Sequence, residues 1–345
     1  MPTVGIVGAG AAAATASFAL QRAVPDIEIT VLEKSGGLCG RAATRRGDDV
    51  VYDYGANYVK SDDERVVELL TETLETEGLV DISEPIYTFD ESGSVSPGRD
   101  ADAQKWSYET GLTQIAKRLF GRTDATIHRR ARVETIRRDG DRWTLVDTDG
   151  RSWGPFDTLC LNPPAPQTAE LLGDAEWDDE RRERLREAAS AVPYRTIWTA
   201  VLGYPFRLDR PYYGLVNTDK NHAVGWLSRE ECKAGHVPDG ESVLIAQANR
   251  EWSEANYDRD PAENVAELAE LTAGVVGDDR LSDPAWSDHQ GWRYALTEDR
   301  VARDPLVAAE AAGLYCLGDW VAGEARIHAA LANGLDVGER IADTY

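Results

Sequence analysis

Four residues near the start of the chain have the types and the spacing that suit them to binding a dinucleotide. Gly8, Gly10 and Ala13 follow a short apolar segment that reads as a strand, and the next strand-like segment ends at Glu33. Gly8 permits a tight turn, Gly10 lets the backbone approach a pyrophosphate, and Ala13 keeps the following helix close to the strand. The N-terminus of that helix offers free N–H groups to phosphate, and Glu33 can accept hydrogen bonds from ribose hydroxyls. This order predicts a dinucleotide-binding unit.

A second glycine-rich loop follows the first unit directly. Residues 34–41 read Lys-Ser-Gly-Gly-Leu-Cys-Gly-Arg and end on Gly40 and Arg41. Flexible backbone of this kind can wrap a phosphate, and the Arg41 guanidinium offers two parallel donors. The glycine turn and this loop together resemble the flavoprotein amine oxidase superfamily. The resemblance implies a Rossmann-type FAD-binding domain in which both segments contact the cofactor.

Two segments in the first half of the chain extend this resemblance. The stretch from Asp53 to Tyr58 resembles the one that passes the isoalloxazine ring in that superfamily. It implies that Gly55 and Ala56 lie beside the flavin, with Asn57 next to them. The strands between residues 126 and 161 resemble a β-meander, in which the backbone of Val133 would bind the adenine.

The C-terminal segment resembles the second FAD signature of the superfamily. Gly318 and Asp319 follow an apolar strand and precede a helix predicted over about 324–343. The resemblance implies that Asp319 accepts a hydrogen bond from a ribityl hydroxyl. The helix N-terminus would face the N1–C2=O edge of the flavin and stabilise its reduced form. Because no cysteine follows Asp319, we expect the FAD to be bound non-covalently.

Three segments together narrow the resemblance to a renalase-like branch: residues 55–58, 162–167 and 289–295. Residues 289–295 read His-Gln-Gly-Trp-Arg-Tyr-Ala, which is similar to renalase and its bacterial relatives except for the small Gly291. This resemblance implies a substrate pocket in which Trp292 stacks on the substrate and Tyr58 faces it. His289 and Arg293 would bind polar groups of the substrate.

The renalase-like resemblance implies an oxidase that takes a hydride from 2- or 6-dihydro isomers of NAD(P)H and passes the electrons to O2. Such substrates regain aromaticity when they lose hydride, so the reaction requires no general base. An amine oxidase stays open as an alternative, although Lys220 and Lys233 lie in no matching motif. A protein that binds flavin and senses redox state without turnover is the third reading.

Length and pattern predict two domains of mixed α/β class. The chain has 345 residues, which exceeds the usual size of a single core. We predict a discontinuous FAD-binding domain with a Rossmann unit and a β-meander, over residues 1–85, 106–165 and 300–345. The remaining residues, 86–105 and 166–299, would form a substrate domain. Alternating aromatic and polar residues there predict an antiparallel sheet packed with helices.

The amino-acid composition excludes several classes of partner. The chain has 61 Asp and Glu residues against 37 Lys and Arg residues, a formal net charge of -24. Such a charge repels nucleic acid and anionic membranes, so we expect neither as a partner. The four cysteines and five histidines show no metal-ligand spacing, and we predict no metal site. No apolar segment is long enough to span a bilayer and no signal peptide is expected, which leaves the cytoplasm as the predicted location.

The acidic surface also predicts adaptation to a salt-rich cytoplasm. At about 1 M salt the Debye length falls to about 3 Å, which screens the repulsion between carboxylates. We therefore expect the Tm to rise steeply with KCl concentration in thermal unfolding measured by circular dichroism. Equal stability at low and at molar KCl would contradict a halophilic origin.

Overall fold

The computed structural model describes residues 1–47, 49–98 and 103–345. Within these residues the strands are β1 Thr3–Val7, β2 Glu28–Glu33, β3 Thr44–Arg46, β4 Val51–Asp53, β5 Leu79–Asp81, β6 Ile86–Phe89, β7 Val95–Pro97, β8 Trp106–Tyr108, β9 Thr126–Arg129, β10 Val133–Asp139, β11 Arg142–Asp147, β12 Ser152–Phe156, β13 Thr158–Leu161, β14 Tyr194–Tyr204, β15 Gly214–Asn217, β16 Val224–Arg229, β17 Ser242–Ala248, β18 Trp286–Thr297 and β19 Leu314–Cys316.

The α-helices of the same residues are α1 Ala11–Ala23, α2 Glu64–Glu68, α3 Thr113–Gly121, α4 Ala165–Gly173, α5 Glu180–Ser190, α6 Arg250–Ala255, α7 Pro261–Val276, α8 Arg303–Glu310, α9 Asp319–Ala322 and α10 Ile327–Ala342. A π-helical turn continues α2 over Leu69–Thr73. Short 3-10 segments cover Gly40–Ala42, Glu230–Cys232 and Asp279–Ser282. The C-terminal helix predicted over 324–343 is preceded by the separate short helix α9, because Gly323 takes a left-handed conformation (φ +84°) between α9 and α10.

The first sheet is fully parallel and has β1 at its centre. Its strand order is β19-β13-β1-β2-β9. Parallel strands end at the same edge of a sheet, so the turn after β1, Glu33 at the end of β2 and the segment after β19 come together there. This arrangement is the Rossmann-type unit that the spacing of the glycines predicted.

The first helix lies unusually close to the last one. A Cβ atom at Gly334 of α10 would lie 2.3 Å from the Ala12 carbonyl oxygen and 1.9 Å from Thr15 Oγ1. The alanine-rich sequence of α1 and the glycines of α10 therefore permit the close approach. Ala13 is fully buried inside α1 and packs in this core, as its predicted role at the third glycine position requires.

Strands β10, β11 and β12 form an antiparallel meander within the range 126–161 predicted for it, whereas β9 and β13 of that range belong to the parallel sheet. Its core also contains Leu172 of α4 and Leu185 of α5, which pack with residues such as Trp143 and Leu159. Both helices lie within 166–299, the region predicted for the substrate domain. Their packing favours a proposed boundary near Val192 instead of residue 165.

The large second sheet has the order β18-β14-β17-β16-β15-β6-β7. Every neighbouring pair is antiparallel except β15 and β6, which are parallel because residues 86–89 enter the sheet from an earlier part of the chain. One face packs on α7 through buried side chains such as Trp198 and Tyr204. A mixed α/β fold with a Rossmann-type domain and a second, sheet-based domain is confirmed. Among the described residues, no helix has the length and apolar character needed to cross a bilayer.

Candidate functional site

A large cavity lies between the carboxyl edge of the parallel sheet and the second sheet. Its volume is about 3380 Å³. Pockets for single small molecules usually measure roughly 300–1,000 Å³. The cavity therefore has room for a dinucleotide-sized group and a second molecule beside it. Most of the predicted site residues contribute to its lining: Gly8, Gly10, Glu33, Gly40, Arg41, Gly55, Ala56, Asn57, Tyr58, Val133, Trp292, Arg293, Gly318 and Asp319.

The glycine turn after β1 has no room for larger side chains. Gly8 has a φ of +91°, which residues with a Cβ rarely adopt. A Cβ atom at Gly10 would lie 2.5 Å from Asn162 Oδ1. The backbone N–H of Gly10 donates to that same oxygen at 3.1 Å. Both glycines are thus required by the local geometry.

Glu33 is buried and ties the two glycine loops together. One carboxylate oxygen accepts the Ala9 N–H at 2.8 Å, and the other accepts the Ser35 N–H at 2.7 Å. Cys39 adds a further link, because its N–H donates to the Ala9 carbonyl oxygen at 2.9 Å. Gly40, which follows it, has a φ of +54°. Glu33 therefore holds the loops in place in addition to the ribose contact predicted for it.

Asn162 joins the beginning of the chain to its end. Besides accepting from Gly10, its side chain donates from Nδ2 to the Leu317 carbonyl oxygen at 3.2 Å. Asn333 of α10 accepts the Gly318 N–H at 2.8 Å. Sequence analysis did not identify Asn162 or Asn333. A polar residue directly after the apolar strand β13 was the available signal for Asn162.

Arg41 and Asp319 form a two-pronged ion pair inside the cavity wall. The guanidinium donates to the two carboxylate oxygens at 2.9 and 2.7 Å, and also to the Ala295 carbonyl oxygen at 3.0 Å. Burial opposes the charge of Arg41, but Asp319 outweighs it and raises the pKa of Arg41. The sequence predicted separate partners, a phosphate for Arg41 and a ribityl hydroxyl for Asp319. In this structure the two side chains bind each other.

The segment after β4 forms a tightly packed wall of the cavity. A Cβ atom at Gly55 would lie 2.0 Å from the Arg41 carbonyl oxygen and 3.1 Å from the Trp292 ring. Gln247 of β17, which sequence analysis missed, donates to the Gly55 carbonyl oxygen at 2.8 Å. Asn57 is buried and donates to the Asp53 carbonyl oxygen at 2.6 Å. The first bond holds the wall against the second sheet, and the bond of Asn57 fixes the shape of the segment itself.

Two groups of aromatic side chains face the cavity from the second sheet and this wall. Trp292 stacks on Tyr54, with ring centroids 5.3 Å apart and an interplanar angle of 21°. Its indole N–H donates to the Tyr54 carbonyl oxygen at 3.2 Å. The ring centroids of Tyr58 and Trp226 lie 6.1 Å apart. Burial raises the pKa of Tyr58, and the positive charge of Arg326 partly opposes that rise.

The structure corrects the predicted place of His289. Gln290 lines the cavity, and because side chains alternate along a strand, His289 projects from the opposite face of β18. Its ring stacks on Trp198, with centroids 5.3 Å apart. Arg293 lies at the rim, where its largely exposed guanidinium covers the Tyr257 ring at 4.2 Å. Trp292 and Tyr58 therefore lie in the cavity wall, Arg293 lies at its edge, and His289 lies outside it.

A fully buried cluster of charges stands behind the wall. Lys233 Nζ lies 2.9 Å from carboxylate oxygens of both Asp53 and Glu230. The two ring nitrogens of His236 face Glu230 and the Tyr108 carbonyl oxygen at 2.8 and 2.9 Å. Both partners accept hydrogen bonds when Glu230 is ionised, so the imidazole is a cation there. Two positive charges then balance two negative ones.

The electrostatics of this cluster favour ionised groups despite burial. Burial opposes the charge of Asp53, but Lys233, His236 and several hydrogen bonds outweigh it and lower the pKa of Asp53. Burial also opposes the charge of Lys233, and the two carboxylates raise its pKa. Asp53, Glu230 and His236 have the chemistry of metal ligands and lie close together. The Lys233 ammonium already binds both carboxylates.

Comparison with known proteins gives two family matches. Residues 6–73 match the NAD(P)-binding Rossmann-like domain, and residues 99–342 match the flavin containing amine oxidoreductase family. The chain belongs to the flavin containing amine oxidoreductase family. It is a flavin-dependent oxidoreductase that acts on small molecules, and the family confirms the superfamily resemblance seen in the sequence.

Similar solved structures support the fold. An Exiguobacterium sp. 255-15 protein assigned provisionally as a protoporphyrinogen oxidase has a TM-score of 0.79 at 17% identity, covering 100% of this chain and 99% of its own. Reduced UDP-galactopyranose mutase has a TM-score of 0.77 at 11% identity, covering 100% of this chain and 96% of its own. Cyclohexylamine oxidase from Brevibacterium oxydans IH-35A gives 0.73 at 15% identity, with coverage of 99% of both chains.

Proposed function

We propose that this member of the family binds FAD non-covalently and oxidises 2- or 6-dihydro isomers of NAD(P)H, with O2 as the electron acceptor. The proposal that the protein binds FAD rests on one observation: the glycine turn and the Gly318–Asp319 segment line the same cavity of about 3380 Å³. The proposed FAD-binding residues are Gly8, Gly10, Glu33, Gly40, Arg41, Gly55, Ala56, Asn57, Val133, Gly318 and Asp319, with Ala13 packing behind the turn.

The chemistry of these residues suits such a group. Ala11 and Ala12 line the cavity in the first turn of α1, where backbone N–H groups have no partner within the helix and phosphate binds well. Next to Gly318, the Arg41–Asp319 pair offers N–H donors from the guanidinium and acceptor oxygens from the carboxylate. The cysteine that contributes to the cavity lining is Cys39, and burial raises the pKa of its thiol to about 12. A thiol that stays protonated at neutral pH does not attack a cofactor, which supports non-covalent binding.

A bound flavin would supply the acceptor for a hydride, and in this proposal O2 would take up the electrons. The protein residues have the task of placing a flat substrate. Trp292 is held by its stack on Tyr54, and the Arg45 guanidinium lies 4.3 Å from the Tyr54 ring. Tyr58 offers a second aromatic surface. Both surfaces suit a ring that becomes aromatic as it is oxidised.

The position of Lys233 favours this substrate class over amines. In the alternative reading, a lysine would hold a water molecule near N5. Lys233 is instead fully buried and bound to Asp53 and Glu230 outside the cavity lining. Lys220 lines the cavity, but it lies in no motif that would place a lysine beside the flavin. A small amine therefore remains the second candidate, favoured by the family assignment alone, and a non-catalytic redox sensor is the third.

Rapid mixing of the purified holoenzyme with candidate substrates tests the proposal. We expect the visible flavin absorbance to bleach rapidly with 2- and 6-dihydro isomers of NAD(P)H and peroxide to form in air. Benzylamine and putrescine should bleach it slowly or not at all. Rapid bleaching by an amine alone would show that the protein is an amine oxidase. Absence of bleaching with every compound would favour a non-catalytic redox sensor.

A further inference from the structure

The cavity differs sharply in charge from the rest of the protein. Over the whole chain, acidic residues outnumber basic ones by 61 to 37. Among the described residues that line the cavity, 15 are Lys or Arg and 13 are Asp or Glu. The cavity therefore offers an environment suited to anions inside a strongly negative shell. A bound FAD accounts for part of this charge through its pyrophosphate.

Arg326 places a positive charge at the end of the cavity where the aromatic groups lie. It directly precedes α10, lines the cavity and acts electrostatically on the phenol of Tyr58. Tyr58 in turn contacts Tyr213 and Trp226. Arg326 is exposed and lines the same cavity as Tyr58 and Trp226.

The carboxylates near Arg326 in the sequence and across α10 already have partners. Glu324 lies 3.4 Å from His328, and Asp336 pairs with Arg65 at 2.7 Å. Arg65 also pairs with Asp63 at 2.9 Å. Within the part of the chain that the structure describes, Arg326 forms no ion pair, and one of its nitrogens donates to the Ala325 carbonyl oxygen. Its remaining donors are available to a ligand.

We infer that Arg326 binds a phosphate group of the substrate and thereby selects phosphorylated nicotinamide compounds over neutral or cationic ones. This inference rests on the proposed function, since it concerns the same cavity. A guanidinium and a phosphate match in charge and in their paired donors and acceptors. The FAD pyrophosphate is assigned to the glycine turn around Gly10, so the phosphate proposed for Arg326 belongs to the substrate.

Equilibrium binding of the oxidised products tests the inference without turnover. Nicotinamide mononucleotide and nicotinamide riboside differ by one phosphate, and binding is followed by the change in flavin absorbance of the holoenzyme. We expect Arg326→Gln to weaken the mononucleotide about tenfold and to change the riboside less than about twofold. The titrations use the lowest KCl concentration at which the protein stays folded, since salt screens the pair.

Arg250→Gln is the matched control. Arg250 also lines the cavity, but its guanidinium is already paired with Glu254 and Glu298 at 2.8 and 2.7 Å. This variant should bind both compounds as the wild type does. Equal weakening of both compounds by Arg326→Gln, or no weakening of the mononucleotide, overturns the inference alone. Failure of the wild-type holoenzyme to bind either compound contradicts the proposed substrate class and the inference with it.

Discussion

Replacing Lys233 with methionine is expected to destabilise the protein by about 3–5 kcal/mol and to lower its Tm by at least about 5 °C. Lys233 is fully buried and lies between Asp53 and Glu230. Methionine fills similar space but leaves the two carboxylates with His236 as the remaining cation of the cluster. A buried charge without a partner raises the free energy of the folded state by several kcal/mol, and this accounts for most of the expected loss of stability. Thermal and urea unfolding of the wild type and the variant measure the loss.

The pKa shifts of Lys233 and Asp53 define the pH range over which these two groups stabilise the wild type. The raised pKa of Lys233 contributes stability below its unfolded value of about 10.4, and the lowered pKa of Asp53 contributes stability above its unfolded value of about 3.9. Both contributions are complete between these limits. The stability that these two shifted groups give the wild type should therefore stay constant from about pH 6 to pH 8.

Two further variants separate the charge effect from simple loss of packing. Adding Glu230→Gln to Lys233→Met leaves Asp53 and His236 as a balanced pair, which should recover part of the stability. Lys117→Met on the exposed side of α3 should leave the Tm within about 1 °C of the wild type. Wild-type stability in Lys233→Met, or no recovery in the double variant, would show that the cluster is not held together by its charges.

The second large effect is expected at the glycine turn. Gly10→Ala should weaken flavin binding roughly 30-fold, because the new Cβ would lie 2.5 Å from Asn162 Oδ1. Asn162 must then move, and its bonds to Gly10 and to the Leu317 carbonyl oxygen are lost. These two bonds hold the turn in the shape that FAD needs, so recovering that shape on binding costs about 1 kcal/mol for each bond, which gives a loss of that size. Titration of the apoprotein with FAD, followed by flavin fluorescence, measures the change.

Gly121→Ala provides the comparison for this variant. Gly121 ends α3, and a Cβ atom there would have no neighbour within 4 Å. This variant should bind FAD like the wild type. An affinity of Gly10→Ala equal to that of Gly121→Ala would show that FAD does not depend on the groove between the turn and Asn162.

The Rossmann unit could be predicted from the sequence because its rules are local. A strand, a glycine turn, a helix and an acidic strand end lie within about thirty residues, and each residue has a backbone reason for its type. The second sheet followed from alternation and turns, whereas the meander followed from the family resemblance. The separate helix α9 before Gly323 and the parallel pairing of β15 with β6 depend on long-range packing, which local patterns do not record.

The parts of the site that were missed depend on contacts between distant segments. Lys233 and Asp53 are separated by 180 positions, and nothing near either residue indicates that they meet. Asn162 is similar, since it acts on Gly10 and Leu317 at opposite ends of the chain. The predicted place of His289 differs from the structure for another reason. A motif was carried over as a whole, although alternation along β18 places neighbouring side chains on opposite faces of the sheet.

The buried charge cluster gives the cavity wall a firm support. Asp53 accepts hydrogen bonds from Asn57 through its carbonyl oxygen and from Ser107 and the Leu112 N–H through its carboxylate. The same carboxylate binds Lys233 on the substrate-domain side. The start of the segment from Tyr54 to Tyr58 is thus attached to β8, to the start of α3 and to the turn that carries Lys233. We propose that this attachment keeps the flavin-facing wall and the substrate-facing wall at a fixed separation.

The most direct test of the proposed cofactor is release of the flavin from the denatured protein. The purified protein is unfolded with acid, the precipitated chain is removed, and the supernatant is examined by visible absorbance and mass spectrometry. The account predicts a yellow supernatant that contains intact FAD in an amount equal to the protein. Colour that stays with the precipitated chain would contradict non-covalent binding, and a protein that binds no flavin even when FAD is supplied would contradict the account as a whole.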